Sequence, residues 1–197
     1  MSVSLKKGQK VSLTKENAGL SQIIVGLGWD QAQPSKKWGL FLTKPKEVDC
    51  DSSAILLQDG KLINNTDLVY FGNLQHKTGT VRHFGDNLTG AGAGDDEQIM
   101  IDLSAIPAQY DRIVIVVNIY QAVERKQHFG MIQNAFCRLV DVKTGQEMCK
   151  YNLTEDYSDM TALIFGEVYR RNGEWKFSAV GQGTKDTNLG DLARRYT

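Results

Sequence analysis

Hydrophobic and polar positions alternate in short runs along most of the chain, and turn residues separate these runs. Alternation with a period of two is typical of β-strands that bury one face. Such runs predict strands at residues 23–29, 54–58, 68–71, 99–103, 112–120, 134–141, 147–153, 162–171 and 174–180. Residues 3–5 and 11–13 flank a turn-like segment and predict an opening hairpin. About ten strands with little helix predict an all-β fold, a two-sheet antiparallel β-sandwich with short peripheral helices, in one domain over residues 1–197.

Three local signals refine this prediction. Asn172 and Gly173 join the last two strand candidates, and this dipeptide tolerates the positive φ angles of a type I′ hairpin turn. Asn188 is a possible N-cap for a short terminal helix within residues 189–196. Residues 121–132 contain helix formers and a glycine, so a crossover helix and a structured loop remain alternatives there.

Composition and charge narrow the classes of function. Lys plus Arg and Asp plus Glu each number 23, so the net charge is zero and nothing global favours nucleic acid. The first residues lack the apolar core of a signal peptide, and no apolar run approaches the ~20 residues that span a bilayer. Cys50, Cys137 and Cys149 lack the spacing of a zinc site. They favour reduced thiols in a cytoplasmic protein.

The most unusual segment, residues 85–97 (GDNLTGAGAGDDE), combines four carboxylates and four glycines with no basic residue. Adjacent carboxylates repel, so a compact fold of this segment requires bound protons or a cation. Ca²⁺ takes about six to eight oxygen ligands, and glycines allow backbone carbonyls to turn inward. Side-chain oxygens are available on Asp86, Asn87, Asp95, Asp96 and Glu97. The pattern matches neither a phosphate-binding glycine loop nor an EF-hand, which leaves a solvated acidic loop as the alternative.

A second acidic pair lies at Asp49 and Asp51. Strand alternation would place both side chains on one face, roughly 6.5–7 Å apart, where a cation would relieve their repulsion. Asp30 could join them if the strands run side by side. The alternative is a polar face turned to solvent.

Several segments together resemble the TerD family. They are residues 24–30 (IVGLGWD), 49–52 (DCDS), 85–97, 134–138 (NAFCR), 165–170 (FGEVYR) and 175–183 (WKFSAVGQG). The resemblance covers nearly the full chain. It implies a non-catalytic, calcium-binding β-sandwich that acts as a binding or scaffold module in bacterial responses to tellurite and other stress. It also implies TerC-like membrane proteins and other Ter-family proteins as partners.

The resemblance further implies calcium ligands at eight positions, carried over by motif. These are Asp30, Asp49, Asp51, Asp86, Asn87, Asp95, Asp96 and Glu97. Because this number exceeds one coordination shell, two neighbouring calcium ions are expected. Direct binding of tellurite is not expected, since the oxyanion would face the most negative segment of the chain.

Residues 31–47 depart from the family pattern and suggest an additional contact surface. Trp38 and Phe41 lie there among the cations Lys36, Lys37, Lys44 and Lys46. An apolar tip flanked by cations suits an anionic membrane or a groove on a partner, which would place the protein at the inner face of the membrane. This surface supports an alternative function, a metal-independent interaction module at the membrane. A strand that packs these apolar residues on the core would exclude that use.

Catalytic machinery is not predicted. The three histidines, His76, His83 and His128, have no HExxH spacing, there is no GxSxG nucleophile elbow, and each histidine is expected at the surface or in a loop. Cys50 lies between two aspartates, whose charge disfavours a thiolate. The protein is therefore not expected to be an enzyme.

Overall fold

The computed structural model describes residues 2–15, 17, 19–31, 47–85 and 94–197, and short strands account for most of its regular structure. The strands are β1 (Val3–Leu5), β2 (Lys10–Ser12), β3 (Gln22–Gln31), β4 (Cys50–Leu57), β5 (Leu68–Val69), β6 (Val81–His83), β7 (Glu97–Asp102), β8 (Arg112–Ile119), β9 (Ile132–Asp141), β10 (Glu147–Asn152), β11 (Ala162–Arg171) and β12 (Glu174–Thr184). The helices are α1 (Ala122–Arg125) and α2 (Leu189–Ala193), with 3-10 turns at Asn65–Asp67, Phe129–Met131 and Arg194–Tyr196. No helix in these ranges has the length and apolar character needed to cross a membrane.

Two six-stranded sheets contain these strands. The first sheet has the order β1-β10-β9-β3-β7-β6, and the second has the order β2-β12-β11-β8-β4-β5. In the described residues β1 and β10 run parallel, and the other neighbours are antiparallel. The predicted fold class, an antiparallel two-sheet β fold with short helices, is confirmed.

The local turn and cap predictions are also confirmed. Asn172 and Gly173 have φ angles of 54° and 76°, as the hairpin turn between β11 and β12 requires. The side chain of Asn188 accepts a hydrogen bond from the backbone N–H of Asp191 at 3.0 Å and caps α2. Residues 121–132 contain both α1 and a 3-10 turn, so the two alternatives for this segment are each partly correct.

The predicted opening hairpin is wrong, because β1 and β2 belong to different sheets. β1 pairs with β10 in the first sheet, and β2 pairs with β12 in the second. Between them the backbone of Gly8 donates to Ala179 at 2.7 Å, and Ala179 donates to Gln9 at 2.9 Å. An isolated two-stranded hairpin is marginal in water, whereas each three-residue strand gains a partner when it joins the edge of a larger sheet.

The main core lies between the two sheets. Ile23, Val25 and Leu27 of β3 are fully buried and alternate with outward-facing positions. Leu139 of β9 and Ile113 of β8 belong to the same cluster. The polar outward positions of β3, β7, β9 and β10 are therefore free to form a site on the outer face of the first sheet.

A second apolar cluster covers the outer face of the second sheet. Ile55, Val114 and Ile164 belong to it, and Leu192 of α2 packs on them. The backbone of Leu62 donates to the carbonyl of Tyr196 at 2.7 Å and fastens the C-terminal segment there. The second sheet is thus buried on both faces, which explains the continuous apolar runs at residues 54–57 in β4 and 113–117 in β8.

Candidate functional site

The candidate site lies where the end of β3 and the starts of β4 and β7 come together. The backbone N–H of Asp96 donates to the carbonyl of Leu27 at 2.7 Å, and its side-chain Oδ2 accepts from the N–H of Trp29 at 2.7 Å. Glu97 Oε2 accepts from the backbone N–H of Ser52 at 2.5 Å. Because β7 is in the first sheet and β4 in the second, Glu97 joins the two sheets.

Glu97 has two carboxylate oxygens in different situations. Its side chain is only 2% exposed, and Oε2 receives the Ser52 N–H with His83 Nε2 3.7 Å away. Oε1 is buried and has no hydrogen-bond partner among the described residues. A buried carboxylate oxygen without a donor is destabilising, and a proton or a cation at that oxygen would offset the cost.

His83 supports this arrangement from a buried position. Its Nδ1 accepts from the backbone N–H of Gly85 at 2.9 Å, so the neutral ring carries its proton on Nε2. Nε2 lies 3.1 Å from Ser52 Oγ and therefore donates toward it. The expectation of a surface or loop position is wrong for His83, which is 1% exposed at the end of β6, whereas His76, also 1% exposed, does lie in a loop. Polar partners on neighbouring elements make their burial possible.

Cys50 lies among the carboxylates of the site. Burial raises the pKa of its thiol well above the usual range, and the negative charges of Glu97, Asp51, Asp49 and Asp96 raise it further. Carboxylates at the starts of β4 and β7 therefore lie close enough to act electrostatically on one thiol. The thiol stays protonated at neutral pH and is a poor nucleophile.

The carboxyl group of Asp96 also lies in the negative field of neighbouring carboxylates. Burial raises the pKa of its carboxyl group, the hydrogen bond from Trp29 opposes the change, and the charges of Asp30, Asp95 and Glu97 add to it. The ionised form of Asp96 is thus held in an unfavourable field. A bound cation would remove this penalty.

Asp95 has a different environment, because both of its oxygens are occupied. Arg138 Nε donates to Oδ1 at 2.6 Å and Nη2 to Oδ2 at 3.2 Å, while Gln98 Nε2 donates to Oδ2 at 2.9 Å. Gln98 and Arg138 are the register partners of Gly26 on either side of β3. The carboxylate lies over Gly26, and a Cβ there would overlap it. Gly26 is therefore required by close approach rather than by a turn.

Asp30 and Asp49 lie at the solvent side of the site. Asp30 is exposed, and its Oδ2 accepts from the Asn134 side chain at 2.8 Å. Asp49 Oδ2 lies 3.4 Å from Arg125 Nη1, and its side chain is 42% exposed. Asp51, in contrast, is buried at the start of β4.

Part of the predicted site lies outside the described residues. This applies to the predicted ligands Asp86 and Asn87 and to the predicted contact residues Lys36, Lys37, Trp38, Phe41, Lys44 and Lys46. Across the ranges that the structure describes, no three His, Cys, Asp or Glu side chains form a group that could hold a metal ion. The ligand predictions for all eight positions therefore stay predictions.

Comparison with known proteins identifies the family. The model of the TerD domain matches residues 1–196. The chain belongs to the TerD family. Its TerD domain is 54% identical over 201 residues to the stress response protein SCP2 of Bacillus subtilis (strain 168), with full coverage of both chains. It is 47% identical to the tellurium resistance protein TerD of Serratia marcescens, covering 93% of this chain and 91% of that one.

A solved structure resembles the TerD domain in fold. The crystal structure of a homologue of telluride resistance protein from Streptomyces coelicolor A3(2) aligns with a TM-score of 0.67 over 91% of this chain and 99% of that chain. The two sequences are 19% identical, so this likeness shows the fold alone. The family matches confirm the resemblance seen in the sequence and place the chain in a tellurium resistance and stress response family.

Sequence reasoning did not single out Ser52, Gln98 and Arg138 as residues of the site. Gln98 and Arg138 reach Asp95 only because β7 and β9 flank β3 in a particular register. The available signal was the pair of glycines in residues 24–30, since glycine inside a strand often marks the close approach of another group.

Proposed function

We propose that this TerD domain binds calcium where β3, β4 and β7 meet and acts as a non-catalytic binding module in the stress response. The supporting observation is the buried Oε1 of Glu97, which has no hydrogen-bond partner among the described residues and lies amid other carboxylates. An oxygen in this position suits a cation ligand, because the cation offsets both the lost hydration and the repulsion.

The donor set favours calcium over other metals. Carboxylate oxygens come from Glu97, Asp96, Asp51, Asp49 and Asp30, and the predicted ligands Asp86 and Asn87 would add more. Calcium accepts six to eight such oxygens at flexible geometry, about 2.3–2.6 Å away, whereas magnesium requires a tighter octahedron and transition metals prefer His or thiolate. The side-chain oxygens of these six carboxylates and one amide outnumber a single shell, so two ions remain part of the proposal.

Asp95 is proposed to position the site rather than to bind the ion. Its ion pair with Arg138 and its hydrogen bond from Gln98 use both carboxylate oxygens. The pair fixes the backbone next to Asp96, whose N–H is bound to β3. Asp95 and Arg138 are accordingly positioning residues: their ion pair holds the backbone of Asp96 in place, and neither side chain binds the ion.

Calorimetric titration of chelator-stripped protein with calcium chloride tests the proposal. Glu97→Gln keeps the acceptor for the Ser52 N–H and removes the charge, so calcium affinity should fall by about tenfold or more. Glu155→Gln, an exposed carboxylate that pairs with Lys7, is the matched control and should bind calcium like wild type. The absence of calcium binding by the wild-type protein would disprove the proposed function.

A further inference from the structure

A pocket of about 630 Å³ lies on the outer face of the first sheet, beside the candidate calcium site. Asp30, Asp96, Phe136 and Lys150 line it, and the strand order β3-β9-β10 places Phe136 between Asp30 and Lys150. Pockets that hold small organic molecules have volumes of about 300–1,000 Å³. The pocket is thus large enough for a small ligand.

The strand register builds this pocket. Phe136 on β9 is the partner of Gly28 on β3, and a Cβ on Gly28 would overlap the Phe136 ring. The Phe136 ring therefore packs directly on the backbone of Gly28. On the other side of β9, Lys150 of β10 pairs with Arg138, and its ammonium lies 3.9 Å from the centroid of the Phe136 ring.

Lys150 and Arg138, the two cationic side chains in the described lining of the pocket, differ in their ion pairs. Arg138 is bound by Asp95 and lies 3.5 Å from Glu147. Lys150 is half-buried, and among the described residues no carboxylate oxygen lies within salt-bridge distance of its ammonium. Contact with a ring face engages its charge but leaves N–H donors available. An anion in the pocket could accept them.

We propose that this pocket binds a small organic ligand bearing a phosphate group, held between the Lys150 ammonium and a calcium ion at Asp30 and Asp96. A phosphate has enough oxygens to contact a lysine and a divalent ion together, which is how many proteins hold phosphates. The side chains of Asn134, Asn152 and Thr154 offer neutral hydrogen bonds, while the Phe136 ring offers an apolar surface to the ligand body.

This inference rests on the proposed calcium site and predicts calcium-dependent binding. Without the ion, Asp30 and Asp96 would repel a phosphate across the pocket. With the ion, the negative charge of Asp30 and Asp96 is offset, and the phosphate gains a contact to the metal in addition to the Lys150 ammonium. Ligand binding should therefore disappear in chelator and return when calcium is restored.

Phenyl phosphate is a suitable probe, because it joins a phosphate to an aromatic ring. Calorimetry on calcium-loaded full-length protein should detect binding that Lys150→Gln weakens by about tenfold while calcium affinity stays within about twofold. Lys143→Gln, an exposed lysine in the turn after β9, is the matched control and should change neither affinity. Phe136→Leu, which keeps an apolar side chain without the ring, should also weaken phenyl phosphate binding.

The outcomes separate this inference from the calcium proposal. If calcium binds but phenyl phosphate does not, or if Lys150→Gln binds it like wild type, the phosphate site is wrong and the calcium site stands. If calcium itself does not bind, both proposals fail. Sedimentation with phosphatidic acid vesicles identifies the source of the phosphate. Calcium-dependent sedimentation that phenyl phosphate competes away indicates a lipid headgroup, and phenyl phosphate binding without sedimentation indicates a soluble phosphate ester.

Discussion

Asp95 and Glu97 stand two positions apart in one acidic run, yet their carboxylates have opposite environments. Asp95 lies on the outer face of the first sheet and is neutralised by Arg138. Glu97 points between the sheets, where one oxygen has no hydrogen-bond partner among the described residues. Residues of identical charge are therefore expected to contribute differently: Asp95 stabilises the calcium-free protein, and Glu97 would destabilise it in the absence of the proposed cation.

Thermal melting distinguishes these two roles. Glu97→Gln removes an uncompensated charge, so in chelator the variant should melt at or above the wild-type temperature, and its calcium-dependent rise should be small. Asp95→Asn breaks the ion pair with Arg138 and should lose about 1–3 kcal/mol in chelator, yet keep most of the calcium-dependent rise. If Asp95→Asn is unchanged in chelator but does not respond to calcium, Asp95 is a ligand and its positioning role is wrong.

The acidic residues of the site could be predicted from the sequence, whereas the residues that organise them could not. Asp96 and Glu97 follow directly from a dense acidic run with no cation in it. Arg138 lies 43 positions after Asp95 in the sequence. Only the β3–β9 register brings it next to Gly26, where it reaches Asp95. A one-residue shift of register would turn Arg138 into the core, and composition does not encode the register.

At the scale of elements, the segment between β5 and β6 is held by a buried polar network. Asp67 Oδ1 accepts from Tyr110 Oη at 2.9 Å and from Lys77 Nζ at 2.8 Å, and it lies 3.1 Å from His76 Nε2. Burial alone would raise the pKa of Asp67, but the hydrogen bonds from Lys77, His76 and Tyr110 outweigh it and lower the pKa. His76 Nδ1 lies 2.7 Å from Thr78 Oγ1, so both ring nitrogens are engaged.

This network predicts a specific acid sensitivity. Burial lowers the pKa of His76 from 6.5, against the opposing effect of Asp67. The unfolded chain then binds more protons than the native one below pH 6.5, so the wild type loses stability as the pH falls from 6.5 toward the lowered value. His76→Gln keeps a donor for Asp67 and does not titrate. Urea unfolding at pH 8, 6 and 5 should show the gap between wild type and His76→Gln narrowing with acid, and a widening gap would contradict this account.

Long strands with their turns were predictable, and short edge strands were not. β11 covers the predicted residues 162–171, because a ten-residue run rich in apolar and aromatic residues and the Asn-Gly turn after it specify the strand locally. β6, with three residues, was missed, and the partners of β1 were assigned wrongly. Among the described residues the sheet edges are β1, β6, β2 and β5, each two or three residues long. Such short strands form only on an existing partner, so their own sequence carries little information.

The C-terminal helix α2 is predicted to stabilise the fold without contributing to the site. Leu192 is fully buried against the outer face of the second sheet. Leu192→Ala should therefore lower the free energy of unfolding by about 2–4 kcal/mol, while calorimetric calcium affinity stays unchanged. Leu189→Ala, at a half-buried position of the same helix, should lose less stability. If Leu192→Ala lowered calcium affinity as much as Glu97→Gln does, the outer face of the second sheet would be coupled to the calcium site.

At the scale of the whole molecule, the two sheets have different roles. The second sheet is buried on both faces and carries the larger share of apolar packing, while the first exposes the pocket and the Asp95–Arg138 pair. Glu97 of the first sheet binds the Ser52 N–H of the second, so a cation at Glu97 would act on the contact between the sheets. Calcium is then expected to stabilise the molecule as a unit rather than a single loop.

The size of this stabilisation follows from linkage. An ion that binds only the native state lowers its free energy by RT ln(1 + [L]/Kd), about 2.7 kcal/mol at a hundred times the dissociation constant, which raises Tm by several degrees in a domain of this size. Magnesium at the same concentration should give a smaller rise, because it demands a tighter octahedral shell. Melting in calcium, magnesium or chelator measures both effects.

Amide hydrogen exchange shows whether the stabilisation reaches both sheets. The backbone N–H of Asp96, bonded to Leu27, and that of Ser52, bonded to Glu97, report on the first and second sheets respectively. If calcium joins the sheets, both amides should exchange more slowly in calcium than in chelator, because opening either one breaks the shared site. Protection of Asp96 alone would confine the ion to the first sheet. Identical melting temperatures in saturating calcium and in chelator would refute the calcium site and leave a solvated acidic loop in its place.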